Sequence, residues 1–125
     1  MFQVLTHEST GDSIRVTKVA DGGKNTVLLV TGTIMSEDDS TFDIIDLKRL
    51  AGTPKSMRLD SLVFMVETGL RVLMKYRDEE TVLPIEGRSK IDLDYIGGLL
   101  GHEIDMVFKG VGSFFIVLDI SKIGV

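Results

Sequence analysis

The sequence predicts a single all-β domain, an antiparallel β-sandwich or flattened barrel of about nine to ten short strands. Apolar and polar residues alternate with period two along most of the chain. Turn-forming residues interrupt that alternation at short, regular intervals, and no stretch holds a helical spacing for long. At 125 residues and 13.8 kDa, residues 1–125 fit one domain. Area scaling gives a folded surface of about 6,600 Å², so roughly two-thirds of the unfolded chain's surface is buried.

The elements follow in order. Phe2 to Glu8 reads as a first strand, closed by Ser9-Thr10-Gly11-Asp12. Ser13 to Val19 follows, with Ile14 and Val16 on one face and Arg15 and Thr17 on the other. Asp21-Gly22-Gly23-Lys24-Asn25 is a turn, because glycine reaches positive φ without steric cost. Thr26 to Met35 is the next apolar run, and Ser36 to Ser40 is a polar loop. In Thr41 to Leu50, Ile44, Leu47 and Leu50 keep helical spacing while Phe42, Ile44 and Asp46 alternate. The reading there is a strand running into a short turn, broken by Gly52-Thr53-Pro54-Lys55.

The second half alternates more cleanly. In Met57 to Glu67, the run Leu62-Val63-Phe64-Met65-Val66 is apolar at every position, as expected of a central strand covered on both faces. Leu70 to Arg77 follows Thr68-Gly69, and Asp78-Glu79-Glu80 forms a hairpin tip. Thr81 to Glu86 returns, and Pro84 confines it to an edge or a bulge. Ile91, Leu93 and Tyr95 alternate with Lys90, Asp92 and Asp94, and Gly97-Gly98-Leu99-Leu100-Gly101 reads as a loop. Ile104, Met106 and Phe108 oppose Glu103, Asp105 and Lys109. After the turn Gly110-Val111-Gly112, Phe114, Ile116, Leu118 and Ile120 form a last inward row.

Composition narrows the function. There is no cysteine, which excludes disulfides and thiolate metal sites. A net charge of −5 and a pI near 4.9 count against a nucleic-acid partner, since phosphate neutralisation needs clustered cations. The densest basic groups, Lys48-Arg49 with Lys55 and Arg58, and Arg71 with Lys75 and Arg77, read as solvated strand faces. Met1 to Thr6 has neither a basic nor an apolar leader pattern, and apolar runs such as Leu62–Val66 are far too short to span a membrane. Mean hydropathy is +0.21, high for a small domain, which points to apolar surface covered by a partner.

No constellation of catalytic or ligand-holding residues emerges. His7 and His102 lie far apart and fit no metal or triad spacing. Glu37-Asp38-Asp39 with Asp43 and Asp46 offers oxygen ligands for calcium across Glu37–Asp46, but without the spacing or the glycine of an EF-hand loop it reads as a solvated acidic loop. Asp92 and Asp94 read as sharing an outward strand face, and the chain has no Trp to stack a sugar beside a carboxylate pair. The Gly97–Gly101 stretch lacks the Lys and Ser/Thr of a phosphate loop. Met57, Met65, Met74 and Met106 fall within strand patterns and read as core filling. The expectation is a non-enzymatic chain with no catalytic, cofactor-binding or metal residues.

Three stretches carry a resemblance: Thr68 to Asp78, Ile91-Asp92-Leu93-Asp94-Tyr95-Ile96-Gly97-Gly98, and Phe114 to Ile120. Together they resemble small structural proteins of tailed bacteriophages, over residues 56–121, about half the chain. Those proteins carry a Gly-x-x-Val-x-Leu strand ending in an aromatic-Asp pair, then an Asp-aromatic-x-Gly-Gly turn and a C-terminal strand pair. Here Arg77 separates Tyr76 from Asp78, and the aromatic is Tyr where Trp is usual. The resemblance implies a virion component assembled in the host cytoplasm. Its leading form is a capsid decoration or cement protein, homo-oligomeric, that contacts the major capsid protein and neither nucleic acid nor membrane. A neck or tail component is the second form. A soluble β-sandwich module binding carbohydrate or another ligand is the alternative from a different class. Partner contacts are expected on loops around Asp21–Asn25, Glu37–Ser40 or Gly97–His102.

Overall fold

The computed structural model describes residues 2–9, 12–35, 39–77 and 82–124, with backbone alone for 2–9, 82 and 95. Its strands are β1 (Phe2–Ser9), β2 (Asp12–Asp21), β3 (Asn25–Ile34), β4 (Ser40–Asp46), β5 (Ser56–Val66), β6 (Leu70–Tyr76), β7 (Val82–Ile85), β8 (Arg88–Asp92), β9 (Leu99–Gly101), β10 (Glu103–Gly110) and β11 (Gly112–Ile123). Two antiparallel sheets result. The larger runs β1-β2-β3-β11-β5-β8, with β9 sharing the edge of β5, and the smaller runs β4-β10-β6-β7. The expected sandwich is therefore the fold.

Eleven strands among the described residues exceed the nine to ten expected. The extra one is β9, which falls in the Gly97–Gly101 stretch read as loop; glycine weakens the strand signal there because it brings no side chain to pack. Pro84 lies in β7, at an edge of the smaller sheet, where its missing N–H costs no ladder bond. The ambiguous Thr41–Leu50 segment resolves into β4 followed by a 3-10 turn at Leu47–Arg49. Asp46 stops the strand by accepting hydrogen bonds from the Lys48 and Arg49 amides at 2.9 and 3.2 Å. The helical spacing of Ile44, Leu47 and Leu50 thus lasts for one turn only.

The chain switches sheets repeatedly, and the core lies between the two layers. Ile14, Val16, Leu28, Val30, Leu62, Phe64, Ile116 and Leu118 line the inner face of the larger sheet, while Val72, Met74, Ile104, Met106 and Phe108 line that of the smaller. Burying each such side chain contributes about 1.5–3 kcal/mol. Phe108 joins the layers, its ring centroid 4.8 Å from that of Phe114 and 5.9 Å from that of Phe42. The last crossing, from β10 to β11, turns at Val111 between Gly110 and Gly112, whose φ angles of 92° and 149° suit glycine alone. The folded surface is 6767 Å², close to the value from chain mass.

Three expectations need correction. The Leu62–Val66 run is not covered on both faces within the chain: Val63 and Met65 are 42% and 49% exposed while their neighbours are buried. Consequently Met65 does not fill the core as Met57, Met74 and Met106 do. Asp92 and Asp94 do not share a strand face either. β8 ends at Asp92, Leu93 is buried, and Asp94 opens a 3-10 turn whose first amide donates to Asp92 Oδ1 at 3.0 Å. The strand ends because Leu93 leaves the extended region, with φ −101° and ψ −3°, while its amide bonds to Asp60 O at 2.8 Å.

Candidate functional site

The outer face of the larger sheet carries the most distinctive surface of the described residues. Strand register sets its rows. In one row Arg15, Thr31, Phe115, Met65 and Arg88 stand side by side on β2, β3, β11, β5 and β8. In the next stand Thr17, Leu29, Val117, Val63 and Lys90. Phe115, Met65 and Val63 are exposed, Leu29 and Val117 half-buried, so five apolar side chains form one cluster. Exposed cations flank it: Arg15 on one side, Arg88 and Lys90 on the other. Neither Arg15 nor Lys90 has an ion-pair partner among the described residues, and Arg88 Nη2 reaches Met65 Sδ at 3.7 Å. The following row, Val27, Asp119, Ser61 and Asp92, turns polar and bounds the cluster at one end.

The basic groups singled out in the sequence lie elsewhere and are mostly paired. Arg58 Nε donates to Asp60 Oδ1 at 2.7 Å, which raises the guanidinium pKa further. Arg71 pairs with Glu86 at 2.9 Å. Arg77 grips Asp105 through two nitrogens at 3.2 and 3.0 Å and also meets Glu103; the Asp105 bond is the main reason its pKa is raised.

A cavity of about 160 Å³ opens between the sheets, lined by Leu59, Met74, Tyr76, Leu83, Leu99, Leu100 and Ile104, with Lys75 the one charged residue among the described lining. Tyr76 forms a wall. Its hydroxyl donates to Leu99 O at 2.7 Å, and its ring lies so close to Gly101 that an added Cβ would stand 2.1 Å from Cδ1. Burial pushes the phenol up to about 12; a backbone hydrogen bond at Leu59 opposes this and the Asp60 charge adds to it. Tyr76 thus packs against β9, the short strand that directly follows the Gly97-Gly98 turn in sequence.

A third cluster is buried. The Lys122 ammonium, with no exposed side-chain surface, pairs with Asp21 and donates to Gly22 O and Ala51 O at 2.6 and 3.0 Å. Asp21 also accepts from Thr26 Oγ1 at 2.6 Å, Ala51 N at 3.1 Å and Lys18 Nζ at 3.1 Å. Burial alone raises this carboxyl, but the hydrogen bonds from Lys122, Thr26, Ala51 and Lys18 outweigh it and hold it well below the usual carboxylate range. The bonds to Ala51 and Lys122 reach distant parts of the chain, so the cluster anchors the Asp21–Asn25 turn to Ala51 and β11.

The remaining candidates do not converge. His7 lies on β1 with its side chain outside the described residues, and His102 is exposed after β9, beyond the opposite edge of the sheet. Arg49 pairs with Asp43 and Asp46, and Lys109 pairs with Asp39 at 3.4 Å; Glu37 and Asp38 lie outside the described residues, as does the hairpin tip Asp78-Glu79-Glu80. Among the described residues no three carboxylates or histidines are grouped to hold a metal ion, and no helix is long and apolar enough to cross a membrane.

No family model and no curated protein matches the chain. Solved structures show distant likeness. A cupin superfamily protein from Desulfitobacterium hafniense is 11% identical, with 94% of this chain and 84% of that one covered and a TM-score of 0.41. The CENP-C cupin domain of Drosophila melanogaster is 8% identical, with 94% and 74% covered and a TM-score of 0.34.

Proposed function

We propose that the chain is a non-enzymatic structural component of a tailed-phage particle, in its leading form a decoration protein that holds neighbouring shell subunits by protein–protein contact. One observation carries the reading: Val63, Met65 and Phe115 stand exposed and adjacent in the middle of the larger sheet, not scattered at its edges. A central sheet face that is apolar on both sides is the pattern of a layer with something laid on it. Many copies on a lattice convert a modest contact into durable attachment. The resemblance of residues 56–121 supplies the setting. The test is purification of intact particles from the phage that encodes the chain. A fixed ratio of this protein to the shell protein is expected, and its absence from washed particles contradicts the reading.

The cavity at Tyr76 favours a second reading, a ligand-binding module. At about 160 Å³ it matches the size of an apolar cavity that holds a benzene-sized guest. A saturable rise in Tm with a small apolar ligand, together with absence from particles, selects this reading over the first.

A further inference from the structure

We infer that the outer face of the larger sheet receives an acidic protein surface, one with an apolar centre and carboxylates on both flanks. This rests on the particle reading and names the partner's chemistry. The chain carries a net charge of −5, yet among the described residues the exposed charges on the two lateral flanks of the apolar cluster are the cations Arg15, Arg88 and Lys90, and the carboxylates of Asp92 and Glu67 lie only in the rows that close its ends. Arg15 on β2 and Arg88 on β8 are four strand spacings apart, about 19 Å. A partner must therefore place its acids on either side of an apolar strip of about that width. Such an arrangement steers encounter and fixes orientation, while Phe115, Met65 and Val63 supply the area that leaves water.

Two other occupants fit less well. A second copy centred on the same cluster brings Arg15 against Arg88 and Lys90, or Arg88 against Lys90, and like charges oppose that contact. An anionic bilayer offers the right charge, but interfacial binding needs an apolar face that sinks about 5–10 Å into the headgroup boundary. A sheet face offers only the tips of its side chains.

The experiment uses particles stripped of this protein and measures rebinding of the full chain across a salt series. Binding is expected to weaken as salt rises. Arg15→Glu, and separately Arg88→Glu with Lys90→Glu, each weaken it by about three- to tenfold at low salt. The flanks lie farther apart than the Debye length of about 8 Å, so the two losses multiply in the combined variant. All these positions are exposed, and circular dichroism of each variant checks that the fold persists. Rebinding of the native chain with no response to charge reversal overturns the acidic partner and leaves the particle reading standing. Failure of the native chain to rebind overturns both. Equal binding to phosphatidylserine vesicles, or a concentration-dependent dimer that Phe115→Ser abolishes, assigns the face to a membrane or to a second copy and overturns the proposal.

Discussion

Phe115 and Met65 are cross-strand neighbours on β11 and β5, and both side chains face solvent, at 38% and 49% exposure. On either side of them in sequence, Phe114, Ile116, Phe64 and Val66 are almost fully buried. The same two strands therefore build the core with one face and display an apolar surface with the other.

That separation makes attachment and stability independent. Met65→Ser or Phe115→Ser removes a half-buried side chain and a cross-strand contact, so unfolding free energy falls by about 1–2 kcal/mol. Particle association is expected to fall far more. Chemical denaturation beside co-sedimentation checks both halves, and a loss of attachment that merely tracks lost stability contradicts the assignment.

The Lys122–Asp21 pair sets a stability prediction. Lys122→Met removes the main partner of Asp21, whose side chain is 12% exposed and keeps Lys18, Thr26 and the Ala51 amide, at a cost of about 1–3 kcal/mol. Asp21→Asn is expected to act through pH as well. The folded-state pKa of Asp21 is depressed, so its contribution is present above the ordinary aspartate value near 3.9 and is lost as pH falls toward the folded value. Native protein should thus lose stability below about pH 4, and Asp21→Asn should flatten that acid limb in urea titrations across pH.

Tyr76 makes the opposite prediction at high pH. Its folded pKa, about 12, lies above the ordinary value of 10.0, so its contribution is whole below that value and disappears as pH rises from there through the folded one. Ultraviolet titration should show one tyrosine ionising late, and Tyr76→Phe should remove that component. Because the variant also leaves Leu99 O without its donor, it should cost about 1–3 kcal/mol at neutral pH.

Gly101→Ala should destabilise by about 1–3 kcal/mol, since its Cβ would run into the Tyr76 ring. Gly23→Ala, at a site with nothing within 4 Å, serves as the control. Equal Tm values for the two variants contradict the close packing assigned to Tyr76.

Much of the fold was legible because alternation is a direct consequence of two-layer burial. Phe114, Ile116, Leu118 and Ile120 form a buried inward row, as their spacing requires. The Leu62–Val66 run misleads for the same reason: an apolar residue turned toward a partner is indistinguishable, in one sequence, from one turned toward a second layer of the same chain. The exposed cluster also draws residues from β3, β5 and β11, brought side by side by pairings between Leu29, Val117 and Val63 that span most of the chain. Only strand order reveals such a surface, whereas loops can be read locally from glycine and polar residues. The ion pair of Asp21 with Lys122 was hidden likewise, because nothing in the polar turn at Asp21 or the exposed-looking end of β11 signals that they meet.

The most direct measurement is hydroxyl-radical footprinting of the protein free and bound to particles. Met65 and Phe115 should lose reactivity on binding while Met35, which is 63% exposed just beyond the end of β3 and outside the rows of the cluster, keeps it. Unchanged labelling of Met65 and Phe115, with protection confined to the loops at Asp21–Asn25 or Gly97–His102, contradicts the account.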